Sequence, residues 1–78
     1  MPTAFVLFNT EIGAENEVVE SLKKIDAVKE AYVVYGVYDV VAKIKANAMD
    51  ELKDIVTRHL RRLKKVRSTL TMMVIEGT

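Results

Sequence analysis

The stretch Ala31-Tyr32-Val33-Val34-Tyr35-Gly36-Val37-Tyr38-Asp39-Val40-Val41-Ala42-Lys43-Ile44 reads as two apolar runs around a turn. Gly36 can take positive φ at no steric cost, and the Asp39 carboxylate can bond backbone of its own turn. In the run before the turn, Tyr32 and Val34 share a face opposite Ala31, Val33 and Tyr35. In the run after it, Val40, Ala42 and Ile44 share a face opposite Val41, Lys43 and Lys45. This two-residue alternation marks strands, and the short link predicts that they pair as a hairpin.

Working outward toward the N-terminus, Thr3 to Asn9 contains Ala4, Phe5, Val6, Leu7 and Phe8 in unbroken succession. A run apolar at both parities predicts a strand covered on both faces. From Glu15 the period lengthens. Val18, Leu22 and Ile25 fall at i, i+4 and i+7, with acids first and lysines last, as the dipole of an amphipathic helix favours. Toward the C-terminus, Asn47 is a candidate N-cap with Asp50 three residues on. A second helix is expected from about Ala48 to Leu63 on the stripe Met49, Leu52, Ile55, Val56, Leu60 and Leu63, then a fourth strand from Val66 to Ile75.

The order β-α-β-β-α-β is the ferredoxin-like, split βαβ pattern: an α+β sandwich with two helices on one face of a four-stranded antiparallel sheet. If one strand parity meets the helices, the other exposes Phe5, Leu7, Tyr32, Val34, Val41, Met73 and Ile75. Such a patch is too large for a soluble monomer, which predicts that the sheet face is covered by another copy or another protein, self-association being the firmer reading.

Composition agrees. The chain has 78 residues, half of them hydrophobic, and no cysteine. A single domain of this size buries only roughly 60% of its unfolded surface. With disulfides and thiolate metal sites excluded, oligomerisation is the remaining common brace. Twelve Lys and Arg against eleven Asp and Glu give a formal charge of +1, which exerts no general pull on nucleic acid or an anionic membrane. No apolar run is long enough to span a bilayer, and Met1-Pro2-Thr3 lacks the basic region of a signal peptide. A cytoplasmic location is expected.

The chemistry-bearing residues are few. His59 is the lone histidine, set mid-helix between Arg58 and Leu60, and no serine has a histidine near it in sequence. Neither a metal-ligand set nor a Gly-rich phosphate loop is visible, so no cofactor and no enzymatic activity are expected. The basic residues from Arg58 to Arg67 read as cations dressing a helix C-terminus, with no interleaved aromatic to stack on bases. The polar set Arg67, Ser68, Thr69 and Thr71 stands in an otherwise apolar strand, where hydroxyls need partners. Backbone groups or a zwitterionic ligand would both serve.

Gly36-Val37-Tyr38-Asp39 followed by Val40-Val41, and Val66-Arg67-Ser68-Thr69-Leu70-Thr71 before Met72-Met73-Val74, resemble the effector-binding (RAM) domain of the Lrp/AsnC regulators. Ala4 to Asn9 and Thr10-Glu11-Ile12-Gly13 resemble its first strand and loop, so the likeness spans essentially the whole chain. The resemblance implies a single domain over residues 1–78, without the family's helix-turn-helix part. It implies sheet-to-sheet dimers that assemble into octamer-like or other rings, with an amino acid effector bound at subunit interfaces. Gly36, Val37, Tyr38 and Asp39 would line that pocket, with Ser68, Thr69 and Thr71 contributed from the fourth strand. Such a module would touch DNA only through partners such as full-length Lrp/AsnC regulators. Two other readings share the topology: a small enzyme of the dimeric α/β-barrel type, and an assembly protein that takes no ligand.

Overall fold

The computed structural model describes residues 1–75. It contains β1 (Thr3–Thr10), α1 (Glu15–Lys23), β2 (Val28–Val33), β3 (Val40–Lys45), α2 (Met49–Arg58) and β4 (Val66–Met73), with one 3₁₀ turn (Leu60–Arg62) between α2 and β4. The sheet order is β2-β3-β1-β4 and every neighbouring pair is antiparallel. The hairpin expected around Gly36 is present, as is the ferredoxin-like order as a whole.

One face of the sheet is closed by the helices. Ala4, Val6 and Phe8 of β1 and Val40, Ala42 and Ile44 of β3 are completely buried there, against Val18, Val19 and Leu22 of α1 and Leu52, Val56 and Leu60 of the second helical segment. Most of these are branched or aromatic side chains of the kind that contribute about 1.5–3 kcal/mol each on full burial, so this single layer carries the stability of the domain.

The opposite face is open. Register places Leu7 between Val41 and Leu70, and Phe5 between Lys43 and Met72, with Tyr32 next to Val41. Tyr32 is 53% exposed, Met72 48% and Leu70 45%, so a contiguous apolar surface faces outward across all four strands. Its composition differs from the sequence reading at β4. Met73 pairs with Ala4 and packs on the helix side, while Leu70 and Met72 take the open side. Ile75 lies past the end of β4 and is almost fully exposed.

Two helix-end expectations change as well. The cap of α2 is Ala48, in extended conformation, with no side-chain cap from Asn47; Asp50 and Glu51 in the first turn meet the dipole instead. The α-helix stops at Arg58 rather than Leu63. Beyond it the apolar residues Leu60 and Leu63 are three apart, which a 3₁₀ turn of three residues places on one side. Leu60 is thereby fully buried and Leu63 packs on the core. Among the described residues no helix is long and apolar enough to cross a membrane.

Candidate functional site

The antiparallel order brings three connections to one end of the sheet: the β1–α1 loop, the β2–β3 turn and the segment entering β4. Asp39 ties the first two together. Its N–H donates to the Phe8 carbonyl at 2.9 Å, and its carbonyl accepts from Val34 N–H at 2.9 Å, which closes the turn. Its side-chain Oδ2 accepts from the Thr10 backbone N–H at 2.9 Å. The carboxylate thus bonds β1, twenty-nine residues away in sequence, rather than the backbone of its own turn.

The entrance to β4 is fixed in the same way. Glu11 N–H donates to the Lys65 carbonyl at 2.9 Å, and Lys65 Nζ reaches Glu17 at 3.5 Å. Lys65 takes a left-handed φ of 69°, a conformation that costs an L residue some strain and is held here by those two contacts. The β1–β4 register then shifts between Asn9 and Thr10, so Arg67 is the extra residue of a β-bulge. Bulges re-aim side chains at sheet ends. Asn9 Nδ2 donates to Ser68 Oγ at 3.1 Å across the same pair of strands.

Together these residues enclose a concavity of about 500 Å³ lined by Asn9, Thr10, Ile12, Asp39, Arg67 and Ser68. It holds one carboxylate, one guanidinium, an amide and hydroxyls. Oδ2 of Asp39 is engaged by Thr10, which leaves Oδ1 for a second donor. Ile12, at the tip of the β1–α1 loop, is 98% exposed.

Of the residues expected to form the site, Asp39 and Ser68 meet in this concavity. Gly36, Val37 and Tyr38 form the adjoining turn and do not line it. Gly36 adopts φ 151°, where an L side chain is strained even though nothing crowds the space a Cβ would occupy. Val37 and Tyr35 project outward, highly exposed, beside Ile12's end of the sheet. Thr69 and Thr71 point the other way. They pair with Phe8 and Val6 on the helix side of β4 and line a separate groove against α2. Asn9, Thr10 and Ile12 are additions that the sequence reading treated as strand end and connection. Polar residues closing an apolar strand, at the end where the hairpin turn also lies, were the available signal.

Of the titratable groups, Glu30 and Tyr32 on the open sheet face carry a mutual perturbation. The Tyr32 hydroxyl donates to Glu30 at 2.7 Å and holds its carboxyl below the usual range, with Lys43 at 3.6 Å assisting; the same bond pushes the Tyr32 phenol up.

The Lrp/AsnC ligand binding domain model matches residues 3–78. The chain belongs to the Lrp/AsnC family. It is 38% identical over 74 residues to an uncharacterized HTH-type transcriptional regulator of Pyrococcus furiosus, covering 91% of this chain and 49% of the regulator. The chain therefore spans about half the length of the curated regulators it matches. A 59-residue stretch is also 39% identical to part of a homocitrate synthase of Saccharolobus islandicus, amounting to 76% of this chain and 13% of that enzyme. Among solved structures, a hypothetical protein of Pyrococcus horikoshii is 40% identical, covers 99% of this chain and 93% of its own, and superposes with a TM-score of 0.91. A Neisseria meningitidis transcriptional regulator in complex with L-Met shares the Lrp/AsnC fold at 17% identity and TM-score 0.84, with 96% of this chain matched to 50% of that one.

Proposed function

We propose that residues 1–78 form one ligand-sensing and oligomerisation domain of the Lrp/AsnC type, which binds an amino acid at the loop end of the sheet. The carrying observation is the pairing of Asp39 and Arg67 in one polar concavity. A zwitterion needs an anion for its ammonium group and a cation for its carboxylate, and charge-assisted hydrogen bonds of that kind are the strong ones. Asp39 Oδ1 takes the ammonium, Arg67 the carboxylate, and Ser68 and Asn9 the remaining oxygen contacts. Gly36, Val37 and Tyr38 set the position of Asp39 and supply the outer rim. The L-Met complex of the Neisseria regulator supports the ligand class.

The second half of the proposal is assembly. The apolar face of Phe5, Leu7, Tyr32, Val41, Leu70 and Met72 pairs with the same face of a second copy. The exposed tips at Ile12, Tyr35 and Val37 bring dimers together in an octamer-like ring, so that a neighbouring subunit adds a wall to the concavity. Effector binding then shifts the balance between assemblies, provided its affinity differs between them. The domain acts on transcription through a partner, including co-assembly with a full-length regulator, and is not an enzyme; the segment shared with homocitrate synthase is too small a part of that chain to carry its chemistry.

A thermal-shift screen of the common amino acids tests the reading. A specific, saturable hit supports sensing. A flat profile across all of them would leave assembly alone and overturn the ligand half.

A further inference from the structure

The helix side of β4 is unlike the helix side of the strands beside it. Where β1 and β3 place Ala4, Val6, Phe8, Ala42 and Ile44 in full burial, β4 places Thr69 and Thr71, both only half-buried. As an edge strand β4 lies at the margin of the layer that the helices cover, and a groove of about 330 Å³ remains between it and α2. Its apolar lining comes from Val56, Leu70 and Met73. Its walls carry Thr69 and Thr71 from the strand, and Lys53, Thr57 and Arg61 from the helical side.

Lys53 and Thr57 are four residues apart in α2, which sets them on one side of that helix, and Arg61 joins the same groove from the 3₁₀ turn that follows. Among the described residues no carboxylate lines the groove. Among the described residues neither Lys53 nor Arg61 has an acid within ion-pair distance, whereas Arg58, on the other side of α2, is held by Asp54 at 2.8 Å. The helix dipole accounts for Arg61 near the C-terminus but not for Lys53, which stands in the N-terminal half of α2. Two uncompensated cations and three hydroxyls converge over an apolar lining.

We propose that the β4–α2 groove is a second ligand site, separate from the loop-end concavity, for a small organic phosphate. Lys53 and Arg61 take the phosphoryl oxygens as charge-assisted donors, Arg61 in its bidentate fork; Thr57, Thr69 and Thr71 donate to the oxygens left over. The organic portion lies on Val56 and Met73. A neutral zwitterion is a poorer occupant, because among the described residues the groove offers its ammonium hydroxyl acceptors but no carboxylate.

Inorganic pyrophosphate, titrated by calorimetry at fixed ionic strength into the whole 78-residue chain, is the first probe. Saturable binding is expected, weakened roughly tenfold or more by Lys53→Gln and by Arg61→Gln, each of which removes a charged donor. Arg58→Gln, outside the groove, should leave the affinity within about twofold of the parent, as a surface substitution away from the site. Circular dichroism confirms that each variant is folded, and Lys53→Arg, which keeps the charge, should restore most of the binding lost in Lys53→Gln. No saturation at matched ionic strength, or equal losses from Arg58→Gln and Arg61→Gln, would overturn the assignment. So would tighter binding of a dicarboxylate than of pyrophosphate. Affinity that climbs with the length of an oligonucleotide would mark a polyanion track in place of a small-molecule site and would also overturn it.

Discussion

Replacing Asp39 separates its two jobs. In Asp39→Ala the Thr10 N–H, on a residue only 6% exposed, loses the acceptor that stands 2.9 Å away. An orphaned, largely buried donor costs about 1–3 kcal/mol. For a domain of this size each kcal/mol lowers Tm by roughly 4–8 °C, so a drop on the order of 5–20 °C is expected. Asp39→Asn is the sharper variant. Its amide oxygen can still accept from Thr10, so its Tm should stay within a few degrees of the parent's, at about 1 kcal/mol or less. Its charge is gone, however, and the ammonium of a bound amino acid loses a charge-assisted partner. That should weaken binding roughly ten- to a hundredfold. Differential scanning calorimetry gives the first quantity and isothermal titration with the amino acid found by screening gives the second. If Asp39→Asn binds that ligand as tightly as the parent, the carboxylate serves only to fasten the turn to β1, and the binding role assigned to it is wrong.

Other perturbations discriminate further. Gly36→Val forces a β-branched residue to φ near 151° and should lower stability by about 1–3 kcal/mol in urea unfolding, with no steric clash to add to it. Loss of sheet-mediated association is expected for Leu70→Lys or Met72→Lys, each placing a charge on the open face, whereas Thr69→Lys on the reverse side of the same strand should leave the assembly intact on a sizing column. The Glu30–Tyr32 bond predicts a two-sided pH response. Its stabilisation is present above the ordinary glutamate range and fades as pH falls through the lowered Glu30 value; it is also present below the ordinary tyrosine range and fades as pH rises through the raised Tyr32 value. The difference in urea midpoint between parent and Tyr32→Phe should therefore narrow at both extremes. With a formal charge of +1, the chain alone should give no sequence-specific duplex shift in gels at physiological salt.

What could be read from the sequence was what depends on local pattern. The unbroken run from Ala4 to Phe8, the helical spacing of Val18 and Leu22, the Gly36 turn between two alternating strands, and the stripe of Leu52, Val56 and Leu60 ahead of the strand at Val66 suffice for the β-α-β-β-α-β order. Features that depend on the third dimension were less legible. In β4 the two adjacent methionines and the polar residues on both parities give no clean alternation, and a one-residue slip exchanges the faces, which is how Met73 was placed outward. The same ambiguity grouped Ser68 with Thr69 and Thr71, although the strand sends them to opposite sides. Asp39 was legible as a turn residue, but its partner Thr10 lies on another strand and no local rule points to it. Asn47 satisfied a capping pattern that the chain does not use, because Asp50 and Glu51 already meet the first turn of α2.

The central claim joins ligand to assembly, and sedimentation velocity at micromolar concentration tests it most directly. The chain is run alone and then with increasing amounts of the amino acid selected by thermal shift. Dimers or larger species are expected without ligand and a saturable redistribution among assemblies as ligand is added, with Asp39→Asn requiring more ligand to reach the same point. A stable monomer whose sedimentation is indifferent to every amino acid would contradict it.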